Sequence, residues 1–553
     1  MKFNLRSLFI FLLIVGIVQS IFTPIARDEA YYWMFGKHLD WGFFDHPPMV
    51  GLMTYLGGLM FPGELGVRLL TIIMSLVMFY CIWLMIPEPD RKKNNAIVVF
   101  AVLIFANPLF NIYSFITTPD MPLLFFSALY LLFFQRFLDK SNFTNALILG
   151  VLMAGLIYSK YHGILVIGFS VLSSLSLFKS RNFYIACITG ILLYLPHLFW
   201  QYQHDFVSFE YHLFYRSRYF SWNNFMTYLF NMLAVLNPFM LPLFLVSFIK
   251  RDESQSRLMN FMFWGFIGFF AFTSLRGHVE PHWIAVAAIP MTLYLHHLVL
   301  KHDKYWKYFK ITGITSLILI FILRLVLILP LPIKSEFHTH RQSFYQNIQD
   351  MAQGREVFFN NSYTEASKYS FYTGDPSFSY NFISFRKNQY DLFESRDAAI
   401  QPNVMFVLFG NQGGAKHEVL NEHEDYYYIN FDKFPLVNKL KIEMIECPEI
   451  ANEGDEVKAK MIIHNPHDFD IDLRNPDEKL YWEIYFFEMK ERIKGVPMAG
   501  VPIEYLSANS SQTFEITFKV DIHPGVYTIG AGLQPKGLTA ISVSKRSYPL
   551  TVN

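Results

Sequence analysis

Apolar positions in the first 332 residues fall in long unbroken runs, without the two-residue or 3.6-residue alternation of a water-facing fold. The first run, 7–26, follows Lys2 and Arg6 and contains no charge. At 1.5 Å per residue it can cross a hydrocarbon core of roughly 30 Å. Further runs lie at 66–86, 96–116, 121–135, 145–158, 164–178, 183–200, 225–249, 258–275, 283–299 and 311–329. Together they predict a polytopic α-helical membrane protein of about eleven spans. A cleaved leader would also set basic residues before an apolar run. No small-residue cleavage site follows here, so the first span is expected to be retained.

Beyond Pro332 the pattern becomes that of a water-facing chain. Residues 357–359 and 404–409 read as buried strands, and 362–372 as a helix ending near Gly374. The stretch 333–438 is therefore expected to form a small α/β domain. From Lys439 onward short alternating strands prevail, among them 457–464, 480–487, 513–520 and 526–532, separated by Asn-Pro, His-Pro-Gly and Pro-Lys-Gly turns. About seven such strands predict an immunoglobulin-like β-sandwich over 439–553.

Composition agrees with a bilayer: 53% of residues are hydrophobic and only 16% are charged, where soluble domains carry about 25%. A net charge of +1 offers no basic stripe for neutralising phosphates, so nucleic acid is not an expected partner. Cys81 and Cys187 lie in apolar runs and Cys447 stands alone, which leaves no disulfide framework or thiolate metal site. Basic residues cluster in alternate loops: Lys2/Arg6, Arg91 to Lys93, Arg136/Lys140, Lys179/Arg181, Lys250/Arg251/Arg257 and Lys301 to Lys310. Such alternation marks one cytoplasmic side. An odd number of spans then places everything after Pro332 outside the cytoplasm.

That topology collects the chemically useful loops on the outer face. They are Arg27-Asp28-Glu29, Asp45-His46-Pro47-Pro48, Thr118-Pro119-Asp120, Ser159-Lys160-Tyr161-His162, the 211–218 segment, and Arg276 to Trp283. Each has a plain alternative. Asp28 could cap an interfacial helix whose aromatics lie at headgroup level, or act as a general base toward an acceptor hydroxyl or amine. Lys160 and Arg276 could snorkel to the interface, or hold a carrier phosphate, since cations at membrane depth are costly and tend to be functional. Arg324, inside the last run, has no evident partner in the sequence.

An acidic pair after the first span, a loop ending in Asp45-His46-Pro47, Thr118-Pro119-Asp120 after the third, and Pro281-His282-Trp283 opening a late span resemble the GT-C glycosyltransferases. The similar branch holds the protein O-mannosyltransferases and the lipid A aminoarabinose transferases, a bacterial dolichyl-phosphate-mannose-protein mannosyltransferase-like family. The resemblance covers 1–332 and implies a transmembrane GT-C catalytic domain there. It implies that Asp28 is the catalytic base and Asp120 a second acidic catalytic position. In the aminoarabinose transferases an acid-Lys-Pro triplet stands where Asp45-His46-Pro47 stands here; its acid joins a loop histidine at a metal, and its lysine contacts carrier phosphate. By that analogy Asp45 and His212 are metal ligands and Arg216 a phosphate contact. His46 departs from the pattern, and its charge depends on its surroundings. Glu29, His46, Lys160, His162, Arg276, His278, Glu280 and His282 complete the expected substrate-binding set. Two ligands underfill a zinc site, so a divalent metal and a set of hydrogen-bonded histidines both stay open.

The implied reaction is inverting transfer of a sugar from a polyprenyl-phosphate donor to a lipid, glycan or protein acceptor at the outer face of a bacterial inner membrane. A donor activated on lipid needs no nucleotide-binding loop, and no convincing Gly-rich strand–helix signature is present. The rival is a transporter or flippase. It would place polar residues near the midplane and repeat its halves, whereas the charges here gather at one face and no internal repeat is evident.

Overall fold

The computed structural model describes residues 4–215, 220–249, 256–333, 335–338, 341–381, 385–393, 400–409, 418–421, 426–437, 439–473, 480–488, 491–499, 501, 503–535, 538, 542–543 and 548–553. The chain divides into two compact units, Met1–Arg341 and Gln342–Asn553.

In the first unit the apolar runs fold as helices. Among the described residues six are long and apolar enough to cross a membrane: Leu5–Phe22, Gly63–Met85, Asp120–Asp139, Arg181–Gln203, Pro281–Lys301 and Asp303–Ile328. Met49–Met60, Ala96–Ala106, Phe143–Ser159 and Gly163–Ser173 are shorter apolar helices. The count from the runs is about eleven, and the difference has local causes. The 96–116 run breaks at Asn107, whose side chain accepts from Phe110 N at 3.1 Å and so starts a new helix at Pro108. The 225–249 run breaks at Asn237, which sits at φ 62° ahead of Pro238. Asn237 is buried because it is used: its Nδ2 donates to Ala106 O at 2.8 Å and to Ser316 Oγ at 3.0 Å, tying three helices together.

Inward faces of these helices carry Phe100, Phe110, Tyr130, Phe134 and Phe266 in one core. Ile10, Phe11, Ile14, Ile188, Ile191 and Phe321 point outward and are exposed, as lipid-facing positions must be. A Cβ on Gly57 would strike the Gly66 carbonyl oxygen, and one on Gly66 that of Phe61. The Met49–Met60 and Gly63–Met85 helices therefore fold back on each other only with glycine at both places. Near Met85, buried Asp90 accepts from His297 Nδ1 at 2.5 Å and pairs with Lys93 at 2.7 Å.

The second unit holds two main sheets. The first, in the order Ser377–Tyr380, Glu356–Asn360, Ile400–Phe409, Tyr426–Pro435, Glu418–Asn421, is parallel across its first three strands and antiparallel across the rest. The Tyr363–Thr373 helix crosses between the first two parallel strands, capped by Ser362 and ended by Gly374 at φ 81°. The second sheet runs Lys441–Glu446, Glu456–His464, Ser511–Lys519, Glu491–Ala499, Leu480–Glu488, Gly525–Pro535, Tyr548–Val552, Ile450–Ala451, with Ser542–Val543 beside Gly525–Pro535. Its first strand also contacts Gly525–Pro535 and Ser542–Val543, so the sheet folds over its own core. Alternation does the work: in Glu456–His464 Val457, Ala459, Met461 and Ile463 are buried and Glu456 and Lys458 exposed. Phe358, Phe406 and Phe434 of the first sheet share one core with Met461, Phe486 and Ile529 of the second.

Candidate active site

Helix Arg27–Lys37 begins where the chain leaves the first span, and two adjacent carboxylates in its first turn diverge. Successive helical residues are about 100° apart, so Glu29 turns inward while Asp28 stays exposed. Glu29 meets Arg68 of the Gly63–Met85 helix, and both side chains are fully buried. Arg68 donates from Nε to Glu29 Oε1 at 2.9 Å and from Nη2 to Oε2 at 2.5 Å. Glu29 also accepts from Ala26 N at 3.0 Å and Thr117 N at 2.8 Å. Arg68 further satisfies the carbonyls of Ser20 at 3.0 Å, Thr23 at 2.6 Å and Pro24 at 3.0 Å, which the end of the first span leaves unbonded. One buried ion pair thus fixes the segments that carry Asp28 and Asp120.

Asp120 opens the Asp120–Asp139 helix, where the positive end of the helix dipole favours a carboxylate. It is buried and accepts from Lys160 Nζ at 2.7 Å; Lys160, the C-cap of Phe143–Ser159, is buried too. His282 Nε2 lies 3.6 Å from the second Asp120 oxygen, and its ring is 5.9 Å from that of Tyr113. Asp120, Asp28 and Glu280 all act electrostatically on Tyr113. His278 and Glu280 approach each other at 3.6 Å in the same loop and are more exposed.

In the same helix Tyr31 and Tyr32 follow Asp28 at the i+3 and i+4 positions and are buried. Tyr31 Oη reaches Asp45 Oδ1 at 3.5 Å, and Tyr32 Oη reaches His46 Nε2 at 3.3 Å. His212 Nε2 donates to the main-chain carbonyl of Asp45 at 2.9 Å. Behind this loop His197 Nδ1 donates to Trp41 O at 2.7 Å, and its Nε2 takes the Tyr161 hydroxyl at 3.2 Å. Gln201 Nε2 donates to Tyr161 Oη at 2.9 Å and to Ser208 Oγ at 2.8 Å, and Ser208 Oγ donates on to Phe43 O at 2.9 Å. These bonds pin the 42–48 part of the loop, while 38–41 remain exposed.

The expected residues sort into groups on these distances. Asp120, Lys160 and His282 meet directly, and Asp28 and Glu280 act electrostatically on Tyr113, whose ring lies 5.9 Å from that of His282. Glu29, expected to touch substrate, has its carboxylate filled by protein donors, so its part is architectural. His162 packs between the rings of Phe270, at 5.1 Å, and Trp283, at 4.8 Å. Arg276 is exposed, and Arg216 lies outside the described residues. Asp45 and His212 do come together, but through a backbone carbonyl. Among the described residues no three His, Cys, Asp or Glu side chains are grouped as a metal site requires. Chelation with EDTA is accordingly expected to leave activity within about twofold; a loss of tenfold or more that zinc or manganese restores would put a metal here after all. Arg68, Tyr113, Tyr31 and Thr117 escaped the sequence reading. Only Arg68 carried a signal, as a lone charge inside an apolar run. Arg324 finds its partner in Asn111, whose Oδ1 accepts from Nε at 2.6 Å, and lies over the Phe115 ring at 4.8 Å.

Residues 45–200 match the family model described as dolichyl-phosphate-mannose-protein mannosyltransferase. Among solved structures, ArnT from Cupriavidus metallidurans in the apo state aligns with a TM-score of 0.55 at 13% identity, over 77% of this chain and 97% of that one. The same protein bound to undecaprenyl phosphate aligns with a TM-score of 0.57, at 13% identity and with the same 77% and 97% coverage. The fold is that of ArnT. No curated protein matches by sequence. The matched stretch contains Asp45, His46, Arg68, Tyr113, Asp120 and Lys160, while Asp28 precedes it.

Proposed function

We propose that the chain is an inverting glycosyltransferase that moves a sugar from a polyprenyl-phosphate carrier of the undecaprenyl type to a lipid, glycan or protein acceptor. The observation that carries this reading is the buried Asp120–Lys160 pair with His282 beside it, set at the ends of membrane helices, with Asp120 and the exposed Asp28 both acting on Tyr113. ArnT bound to undecaprenyl phosphate, which has this fold, supports a lipid-phosphate donor. In the reaction Asp28 takes the acceptor proton as the acceptor oxygen or nitrogen attacks the anomeric carbon. The bond from that carbon to the phosphate oxygen breaks, and the polyprenyl phosphate leaves with the electron pair. Lys160, with one Nζ–H on Asp120, directs its remaining donors at the phosphate, where negative charge grows. His282, 3.6 Å from the other Asp120 oxygen, helps hold that carboxylate toward Lys160.

We read about eleven crossings from the apolar runs, a bacterial inner membrane as the location, and an extracytoplasmic second unit. The proposed division of the chain after Pro332 remains 333–438 and 439–553, its first residues to Arg341 falling in the first compact unit, and it holds the acceptor or a partner protein or caps the active face. A transporter is not favoured, because Asp120, Lys160 and His282 sit at helix ends rather than midway along the spans.

Lys160 provides the test. Lys160→Gln strands Asp120, so it is paired with the double variant Asp120→Asn/Lys160→Gln, which leaves no buried charge. In purified protein the double variant is expected to fold and to raise the KM for the lipid-linked donor at least about tenfold, the size of one charge-assisted contact. An unchanged donor KM in folded double variant would remove Lys160 from the phosphate.

A further inference from the structure

The Leu5–Phe22 and Gly63–Met85 helices lock together at one end. There Arg68 holds the carbonyls of Ser20, Thr23 and Pro24, and a Cβ on Gly16 would sit 3.2 Å from Ile72. Toward the other end an open surface groove of about 420 Å³ runs between them. Phe9, Ile10 and Leu13 wall it on one helix, Leu76 and Tyr80 on the other, and Arg6 closes its end. Apart from Arg6 and the Tyr80 hydroxyl these side chains are hydrocarbon.

Depth follows from the antiparallel register, in which Gly16 faces Ile72. Tyr80 is then level with Leu8, roughly 3 Å deeper than Arg6, and Leu13 lies roughly 10 Å deeper. The edge-on contact of Phe9 with Tyr80, at 6.2 Å between centroids, agrees with that register. Charge, then hydroxyl, then hydrocarbon is the order of a glycerophospholipid read inward: phosphate, ester, acyl chain. Arg6 is exposed and has no ion-pair partner among the described residues. A guanidinium so placed matches a phosphate better than an ammonium would. The same end of the helices carries the basic loops, where an anionic leaflet surface is expected.

We infer that this groove is a binding site for one anionic glycerophospholipid of the leaflet facing the N-terminus. Its phosphate rests on Arg6, and one acyl chain lies along Phe9, Leu13 and Leu76. The site is independent of the transferase reading, since it lies at the opposite end of the two helices from Glu29 and Arg68.

The test uses full-length protein, stripped of lipid in detergent and titrated with phosphatidylglycerol or phosphatidylcholine of identical chains, with bound lipids counted by native mass spectrometry. Wild type is expected to hold one phosphatidylglycerol at a concentration about fivefold or more below that for phosphatidylcholine, the effect of one arginine at a charged surface. Arg6→Gln should erase the preference, and Leu76→Trp, which fills the groove, should weaken both lipids. Lys179→Gln, on the same face but away from the groove, should change nothing. Equal binding of the two lipids by wild type, or a full preference surviving in Arg6→Gln, would overturn the site. So would an equal loss in Lys179→Gln, since it would mean only diffuse attraction.

Discussion

Asp28→Asn is expected to lower the turnover of sugar transfer by about 10²–10⁴-fold, the range lost with a positioned general base. The donor KM should stay near that of wild type, because the phosphate contacts assigned to Lys160 are untouched. Stability should change little. Asp28 is exposed in the first turn of Arg27–Lys37, where losing the favourable dipole interaction costs about 0.3–1 kcal/mol and an exposed ion pair adds at most about 1 kcal/mol. Asparagine keeps the shape of the side chain and removes its basicity, so a kcat loss without a KM or melting shift isolates the proton-accepting role. Near-wild-type turnover would take that role from Asp28 and turn attention to Glu280, which borders the same tyrosine.

A second large effect concerns folding. Arg68→Met leaves the Glu29 carboxylate fully buried with only the amides of Ala26 and Thr117 as donors, and strips three carbonyls of their partner. Breaking a buried pair from one side costs about 3–5 kcal/mol, a large part of the total stability of about 5–15 kcal/mol usual for a domain. The variant is therefore expected to yield little monodisperse protein. Glu29→Gln/Arg68→Met removes the stranded charge as well and should recover much of the yield. It should not recover turnover, because the segments bearing Asp28 and Asp120 are no longer tied to one another. Size-exclusion profiles, thermal melts and transfer assays separate these outcomes. A single Arg68→Met variant with wild-type melting and turnover would show that the pair is dispensable.

Those two residues also mark what the sequence could and could not reveal. Apolar runs are legible because hydrocarbon tolerates little else, and all the long helices of the first unit lie within or around runs read from the chain. The breaks at Asn107 and Asn237 were harder, since each asparagine sits in an otherwise apolar stretch and its use depends on distant partners such as Ser316. The pair Asp28-Glu29 announces acid chemistry, yet only the rotation of the helix decides which carboxylate meets Arg68. Arg68 shows only as a lone charge inside the apolar run 66–86, which marks it as unusual without naming its partner. Asp45 and His212 were expected as neighbours, but a sequence cannot say whether a histidine will meet a carboxylate or its carbonyl. Tyr31 and Tyr32 read as interfacial aromatics, while their hydroxyls reach Asp45 and His46.

The most direct measurement is transfer of labelled sugar from a polyprenyl-phosphate donor by purified protein in liposomes, with the anomeric configuration of the product determined. The account predicts release of polyprenyl phosphate together with labelled product of inverted configuration, dependent on Asp28. Folded protein that releases no sugar from any such donor, and instead carries the intact lipid-linked sugar across the bilayer, would contradict it.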